Sequence, residues 1–255
     1  MNRIYIRVDG NEIIATGHVM RCLSIAEQIR LLGAEVTFIV ADDRSLPLIE
    51  DRGFSAEILD TVWNDLDGET DIICAYVKQH NVKVLLVDSY YVTEEYLYRL
   101  SEYVSVVYLD DLYRFPYPVH TVINYAAFVN DALYIDLYKA AAHTPCLLLG
   151  SHYIPLREEF AGGSFEVNPK IRRVLITTGG ADRLNVAGTL LRAISDDFAL
   201  NQLEYHVIVG CFNENRDMLK ELAAQSQEHI YLHENVRIMS EWMRKCDAAV
   251  SAAGT

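Results

Sequence analysis

The feature that most constrains this chain is its alternation. Short, continuously apolar runs are separated by stretches of helical period, and the pattern extends from Arg3 to Ser251. Strands that are apolar on both faces, each followed by a helix, suit a parallel sheet covered by helices on both sides. The runs that read as strands are Arg3–Val8, Val36–Val40, Ala56–Leu59, Val82–Val87, Val104–Leu109, Val122–Tyr125 and Leu147–Leu149. Helices are expected over Gly17–Leu32, with Gly33 as its stop, over Leu46–Arg52 and Glu69–His80, and from the cap Thr93 to about Tyr103.

After Leu149 the alternation loosens, and Ala161-Gly162-Gly163-Ser164 followed by Pro169 is the linker candidate. It restarts with strands Arg173–Thr177, Tyr205–Val209, His229–Leu232 and Ala248–Ser251. The helices between them are Val186–Ile194, Arg216–Gln225 and Glu241–Lys245, the last with Ser240 as cap. The expected fold class is α/β with two Rossmann-like domains, residues 1–162 and 163–255. The second is expected to be incomplete, with about three strands and a sheet ending at Ala248–Ser251 where a further helix is due.

Composition narrows the function. With 51% hydrophobic residues in 255, the chain has material for buried cores, and disorder is excluded as its main state. It carries 22 basic against 36 acidic residues, so it lacks the basic face that nucleic-acid binding needs. Residues 1–164 hold 24 acidic and 12 basic residues and residues 165–255 hold 12 and 10, so the second part suits an anionic ligand better. The five cysteines have no CxxC spacing and read as free thiols of a cytoplasmic protein with no zinc site. No apolar run reaches the ~20 residues of a membrane span, and the N-terminus reads as a strand, not a signal peptide.

Ligands of open α/β sheets bind beyond the carboxyl ends of the strands. Polar residues gather there after four separate strands: Asp9 to Arg21, Asp88-Ser89-Tyr90-Tyr91, Asp110-Asp111, and Asn124-Tyr125. His18 falls at a helix start, where the dipole favours the neutral imidazole, a form that can take a proton from water. Such a histidine can equally hydrogen-bond its own loop. Arg21, one turn on, can hold a protein carboxylate or an anionic ligand. Thr178-Gly179-Gly180-Ala181-Asp182 lies between a strand and a helix, which fits either a phosphate cradle or a tight turn. There is no GxGxxG and no GxxxxGK[ST].

The run Arg7-Val8-Asp9 with Thr16-Gly17-His18-Val19-Met20-Arg21-Cys22-Leu23-Ser24-Ile25-Ala26 resembles the N-terminal signature of the UDP-sugar hydrolases of pseudaminic acid synthesis and of related spore-coat polysaccharide proteins. The resemblance extends through Val87–Tyr90, Leu109–Asp111, Ile123–Ala126, Leu149–Phe160, Thr178–Asp182, His233–Val236 and Val250–Gly254. It implies a glycosyltransferase B architecture of two Rossmann-like domains facing across a cleft. It also implies release of UDP and a free amino sugar from a UDP-sugar substrate, with no metal and no other cofactor. By resemblance His18 is the catalytic base, and Asp9, Gly17, Arg21, Asp88, Tyr90, Asp111 and Asn124 surround the sugar. Gly179, Gly180, Val236, Ser251 and Gly254 match the UDP-binding loops. Ala15 stands where the family has glycine, and Ser89 where histidine is frequent. A glycosyltransferase of the same architecture and a non-catalytic sugar-nucleotide binding module remain alternative readings.

Overall fold

The computed structural model describes residues 3–162, 166, 168–197, 200–226 and 229–252. The expected boundary near Gly163 lies outside the described residues. Contacts divide the chain into two units, Met1–Gly10 with His18–Leu156, and Asn11–Gly17 with Arg157–Thr255.

The first unit is built on β1 (Arg3–Val8), β2 (Glu35–Val40), β3 (Ser55–Ile58), β4 (Val84–Asp88), β5 (Ser105–Leu109), β6 (Thr121–Asn124) and β7 (Cys146–Leu149). All seven are parallel, in the order β3-β2-β1-β4-β5-β6-β7. The order reverses between β1 and β4, where Tyr5 aligns with Thr37 on one side and Leu85 on the other. This is the topological switch point, the place where open sheets leave a crevice. The helices are α1 (Gly17–Leu31), α2 (Leu46–Asp51), α3 (Leu66–Gln79), α4 (Glu94–Ser101) and α5 (Asp131–Tyr138).

Successive strand residues enter opposite cores. Ile6 and Val8 pack with Val19, Cys22, Leu23 and Ile49 of α1 and α2. Tyr5, Leu85 and Val87 pack with Ile73, Val77, Tyr96, Leu97 and Tyr134 of α3, α4 and α5. Local chemistry sets the helix ends. Asp65 and Thr93 accept the Gly68 and Tyr96 amides at the starts of α3 and α4, and Gly33, at φ 84°, follows the end of α1. Helix α5 was not expected from the sequence. Its buried residues are Tyr134 and Tyr138, while Leu133 and Ile135 face outward, so its apolar pattern is inverted.

Among the described residues the second unit has four parallel strands, not about three: β8 (Arg173–Thr177), β9 (Glu204–Val209), β10 (Ile230–Glu234) and β11 (Ala248–Ser251). Their order is β10-β9-β8-β11, so the Ala248–Ser251 strand is an edge, and most of it is exposed. The helices are α6 (Val186–Asp196), α7 (Arg216–Gln225) and α8 (Met239–Lys245). Ser240 does not cap α8. The cap position is Ile238, which makes no side-chain bond, and the buried Ser240 donates its N–H to Glu159 Oε2 at 2.9 Å. A carboxylate distant in sequence thus serves the helix start, where the dipole favours negative charge. Among the described residues no helix is long and apolar enough to cross a membrane.

Candidate functional site

The switch point of the first sheet carries a compact ionic centre. His18 opens α1 just beyond β1, and Asp88 ends the neighbouring strand β4. The two meet with His18 Nδ1 2.6 Å from Asp88 Oδ1, and their side chains are 5% and 0% exposed. Arg21 forks the same carboxylate, with Nε 2.6 Å from Oδ2 and Nη2 2.5 Å from Oδ1. Burial alone would raise the Asp88 carboxyl, but the hydrogen bonds and charges of Arg21 and His18 outweigh it and hold the group below the usual carboxylate range. An ionised acceptor at 2.6 Å requires a donor, which assigns the hydrogen to Nδ1. The 3.0 Å approach of Arg21 Nη2 to Nδ1 is then a contact and not a hydrogen bond. In the neutral ring this leaves the lone pair on Nε2.

Arg21 does more than pair with Asp88. Its Nη1 donates to the Tyr125 hydroxyl at 2.7 Å and lies 2.7 Å from Asp111 Oδ2, an ion pair without hydrogen-bond alignment. The Tyr90 ring meets the His18 ring edge-on, with centroids 4.3 Å apart at 76°. Burial and the neighbouring Asp111 raise the Tyr90 hydroxyl, so it stays protonated at neutral pH. His18, Arg21, Asp88, Tyr90 and Asp111 therefore form one cluster. Gly17 precedes His18 at the start of α1, and a Cβ there would meet nothing within 4 Å.

Asp9 and Asn124 belong to other networks. Asp9 pairs with the buried Arg7 at 2.5 Å and accepts the Ala41 amide at 2.8 Å. Arg7 also makes a two-pronged pair with Glu69, both contacts at 2.8 Å. Burial pushes the Asp9 carboxyl up despite the pull of Arg7. Asn124 bonds the Tyr134 hydroxyl at 3.0 Å; that hydroxyl donates to Asp110, which also accepts Tyr117 and the amides of Leu112 and Tyr113. Asp110 thus fixes the loop after β5. Ala15, where the resembling family has glycine, sits at φ 58°, a conformation that disfavours a side chain. Ser89 accepts the Tyr91 amide at 3.2 Å.

In the second unit Gly179 adopts φ 85° with open space around it, and a Cβ on Gly180 would come within 2.9 Å of Thr16 Oγ1. Gly210 follows β9, where the sequence marks the end of the strand, and is not among the site residues expected from the sequence. A Cβ there would strike the carbonyls of Gly179 and Gly180, so glycine is required for the two loops to touch. The first amides of α6 are not open to a phosphate. Asp182 accepts those of Val186 and Ala187 at 2.8 and 3.0 Å, and Asn185 accepts that of Gly188 at 3.2 Å. Val236 follows β10 and is half-buried, and Ser251 ends β11 exposed. Gly254 lies outside the described residues. A hollow of about 680 Å³ in the first unit, lined by Arg3, Glu35, Tyr76 and His80, lies at the amino ends of the strands, away from this chemistry.

No family model matches the sequence. An uncharacterized protein of Methanocaldococcus jannaschii is 24% identical over 270 residues, covering 99% of this chain and 52% of that protein. The chain thus spans about half the length of the curated relative it matches. Among solved structures, MurG of Acinetobacter baumannii aligns with a TM-score of 0.59 at 14% identity, covering 100% of this chain and 74% of that one. The pneumococcal O-GlcNAc transferase GtfA, solved with UDP and GlcNAc, aligns at 0.60 and 11%, covering 98% and 78%. The glycosyltransferase SnogD of Streptomyces nogalater aligns at 0.58 and 15%, covering 100% and 77%. The fold is that of glycosyltransferase B. These likenesses speak to fold alone.

Proposed function

We propose that the protein is a UDP-sugar-dependent glycosyltransferase with His18 as general base. The observation that carries this reading is the His18–Asp88–Arg21 cluster at the switch point, where a buried carboxylate holds Nδ1 and, in the neutral ring, leaves the Nε2 lone pair to accept a proton. The nucleophile gives its proton to Nε2 as its oxygen attacks the anomeric carbon. The bond from that carbon to the UDP oxygen breaks, and the electron pair leaves with UDP. Asp88 stabilises the imidazolium formed, as a carboxylate orients a base in other catalytic dyads. Arg21, Tyr90 and Asp111 border the sugar, with Asp9, Gly17 and Asn124 holding the surrounding loops. Gly179, Gly180, Val236, Ser251 and Gly254 contact UDP, and loop amides meet the leaving diphosphate. The likeness to enzymes solved with UDP, such as GtfA, supports the donor class.

Hydrolysis is the second reading, favoured by the run Thr16–Ala26 and its resemblance to UDP-sugar hydrolases. Incubation with UDP-GlcNAc and other UDP-sugars, followed by NMR for UDP, free sugar and glycoside, tests both. Glycoside formation supports transfer, free sugar alone supports hydrolysis, and absence of UDP release with every donor overturns the proposal.

A further inference from the structure

Two consecutive exposed tyrosines stand beside the base. Tyr90 and Tyr91 follow β4 and are 37% and 38% exposed. The loop is held on several sides. Tyr108 donates its hydroxyl to the Ser89 carbonyl at 3.2 Å, Arg114 donates to the Tyr90 carbonyl at 3.1 Å, and Ser89 Oγ accepts the Tyr91 amide. Tyr91 is backed edge-on by the buried Trp63 at 5.2 Å, as Tyr90 is backed by His18. Arg114 follows Tyr113, an exposed tyrosine at φ 51°, a left-handed conformation strained for a bulky residue. Tyr113 is kept there by its amide on Asp110 and its hydroxyl on the Leu133 carbonyl. Strain is thus kept on an exposed aromatic two residues after Asp111, the carboxylate that pairs with Arg21, and this points to a use for the ring.

We infer that Tyr90, Tyr91 and Tyr113 form the rim of an acceptor subsite for a neutral carbohydrate, so that the nucleophile is a sugar hydroxyl and not water. The inference rests on the UDP-sugar reading above. A pyranose has one face of C–H groups, which packs on a fixed aromatic ring with little loss of conformational freedom. Arg21 is already committed to Asp88, Asp111 and Tyr125. The excess of acidic residues over residues 1–164 repels an anionic acceptor.

Saturation-transfer NMR on the protein, titrated with the methyl glycosides of glucose, galactose and N-acetylglucosamine and with glucose 6-phosphate, tests this. At least one methyl glycoside binds and the phosphate ester does not. Tyr91→Leu weakens that glycoside roughly five- to tenfold, the scale of one aromatic contact, and Tyr91→Phe restores it. Thermal melting confirms that both variants fold. Equal binding by Tyr91→Leu, or no glycoside binding, overturns the subsite even where UDP-sugars are turned over. Tyr91-dependent glycoside binding without any UDP-sugar turnover upholds the carbohydrate subsite and removes the donor reading instead.

Discussion

His18 Nδ1 and Asp88 Oδ1 stand 2.6 Å apart across the step from β1 to β4, although 70 residues separate them in the chain. The sheet order makes these strand ends neighbours, and Arg21, three residues after His18, closes the triangle. A histidine so held has one favoured tautomer and little freedom to turn. His18→Asn is expected to lower turnover about 10²–10⁴-fold, the usual contribution of a general base. Asp88→Asn is expected to fall on the same scale, because a neutral amide no longer selects the Nδ1–H tautomer or stabilises the imidazolium. UDP release measures both, with UDP affinity and melting temperature as controls. Activity within a few-fold of wild type in His18→Asn would return this histidine to a loop-packing role.

The buried cluster under this centre makes a stability prediction. Arg7 is held by Glu69 on two prongs and by Asp9 on a third, and Glu69 also accepts hydroxyls of Tyr96 and Thr61. Arg7 and Glu69 are 1% and 0% exposed. Glu69→Ala takes two of the three carboxylate contacts from the buried Arg7 and leaves the Tyr96 and Thr61 hydroxyls without their acceptor, so it should cost about 3–5 kcal/mol. The change that removes all three charges, Arg7→Met with Asp9→Asn and Glu69→Leu, should cost less than Glu69→Ala alone, since an asparagine in place of Asp9 can still accept the Ala41 amide and no charge is left buried. Urea unfolding measures both, and a Glu69→Ala protein within about 1 kcal/mol of wild type contradicts the account.

Much of this was legible from the residues because strand and helix signals agreed over most of the chain. The switch-point cluster was visible as polar strand ends, and the structure brings Asp88 and Tyr90 from one of them against His18. What was not legible depends on contacts between distant segments. Helix α5 hides its apolar face in two tyrosines four residues apart, and Glu159 serves α8 from the preceding connection. No local pattern joins Arg7 to Glu69, which are 62 residues apart and meet only because α3 covers β1. The requirement for Gly210 likewise comes from the close approach of another loop.

Asp182 gives the third prediction. Its carboxylate takes two amides at the start of α6, and its backbone is left-handed at φ 44°. Asp182→Ala should therefore cost about 0.5–2 kcal/mol, as lost helix caps do. UDP affinity should not fall with it, because a phosphate would meet the loop amides of Gly179 and Gly180 and not the first turn of α6. Calorimetry with UDP tests this; a tenfold loss of affinity in a folded Asp182→Ala protein would place Asp182 in the nucleotide site.

His206 and His233 make the stability of the second unit depend on pH. Their rings are joined by an Nδ1–Nε2 contact of 3.0 Å, with Trp242 3.7 Å from His233 and Tyr231 stacked on His206 at 5.2 Å. Burial lowers the His206 imidazole, with Glu204 opposing the shift and Arg173 and Lys245 adding to it. Burial also lowers His233, with His206 and Lys245 adding to the shift. Both rings are thus less easily protonated in the fold than in the unfolded chain, where histidine titrates near ~6.5. As pH falls below that value the unfolded chain takes up protons first. The stabilisation is therefore complete above about pH 6.5 and is lost as pH falls towards the lowered folded values. Urea unfolding at about pH 7.5 and 5.5 should show lower stability at the acid end, and His233→Phe should reduce the difference. NMR titration should place both imidazoles below the unfolded value. Titration of both at or above ~6.5 would mean that the paired rings share a proton and are not held neutral by their surroundings.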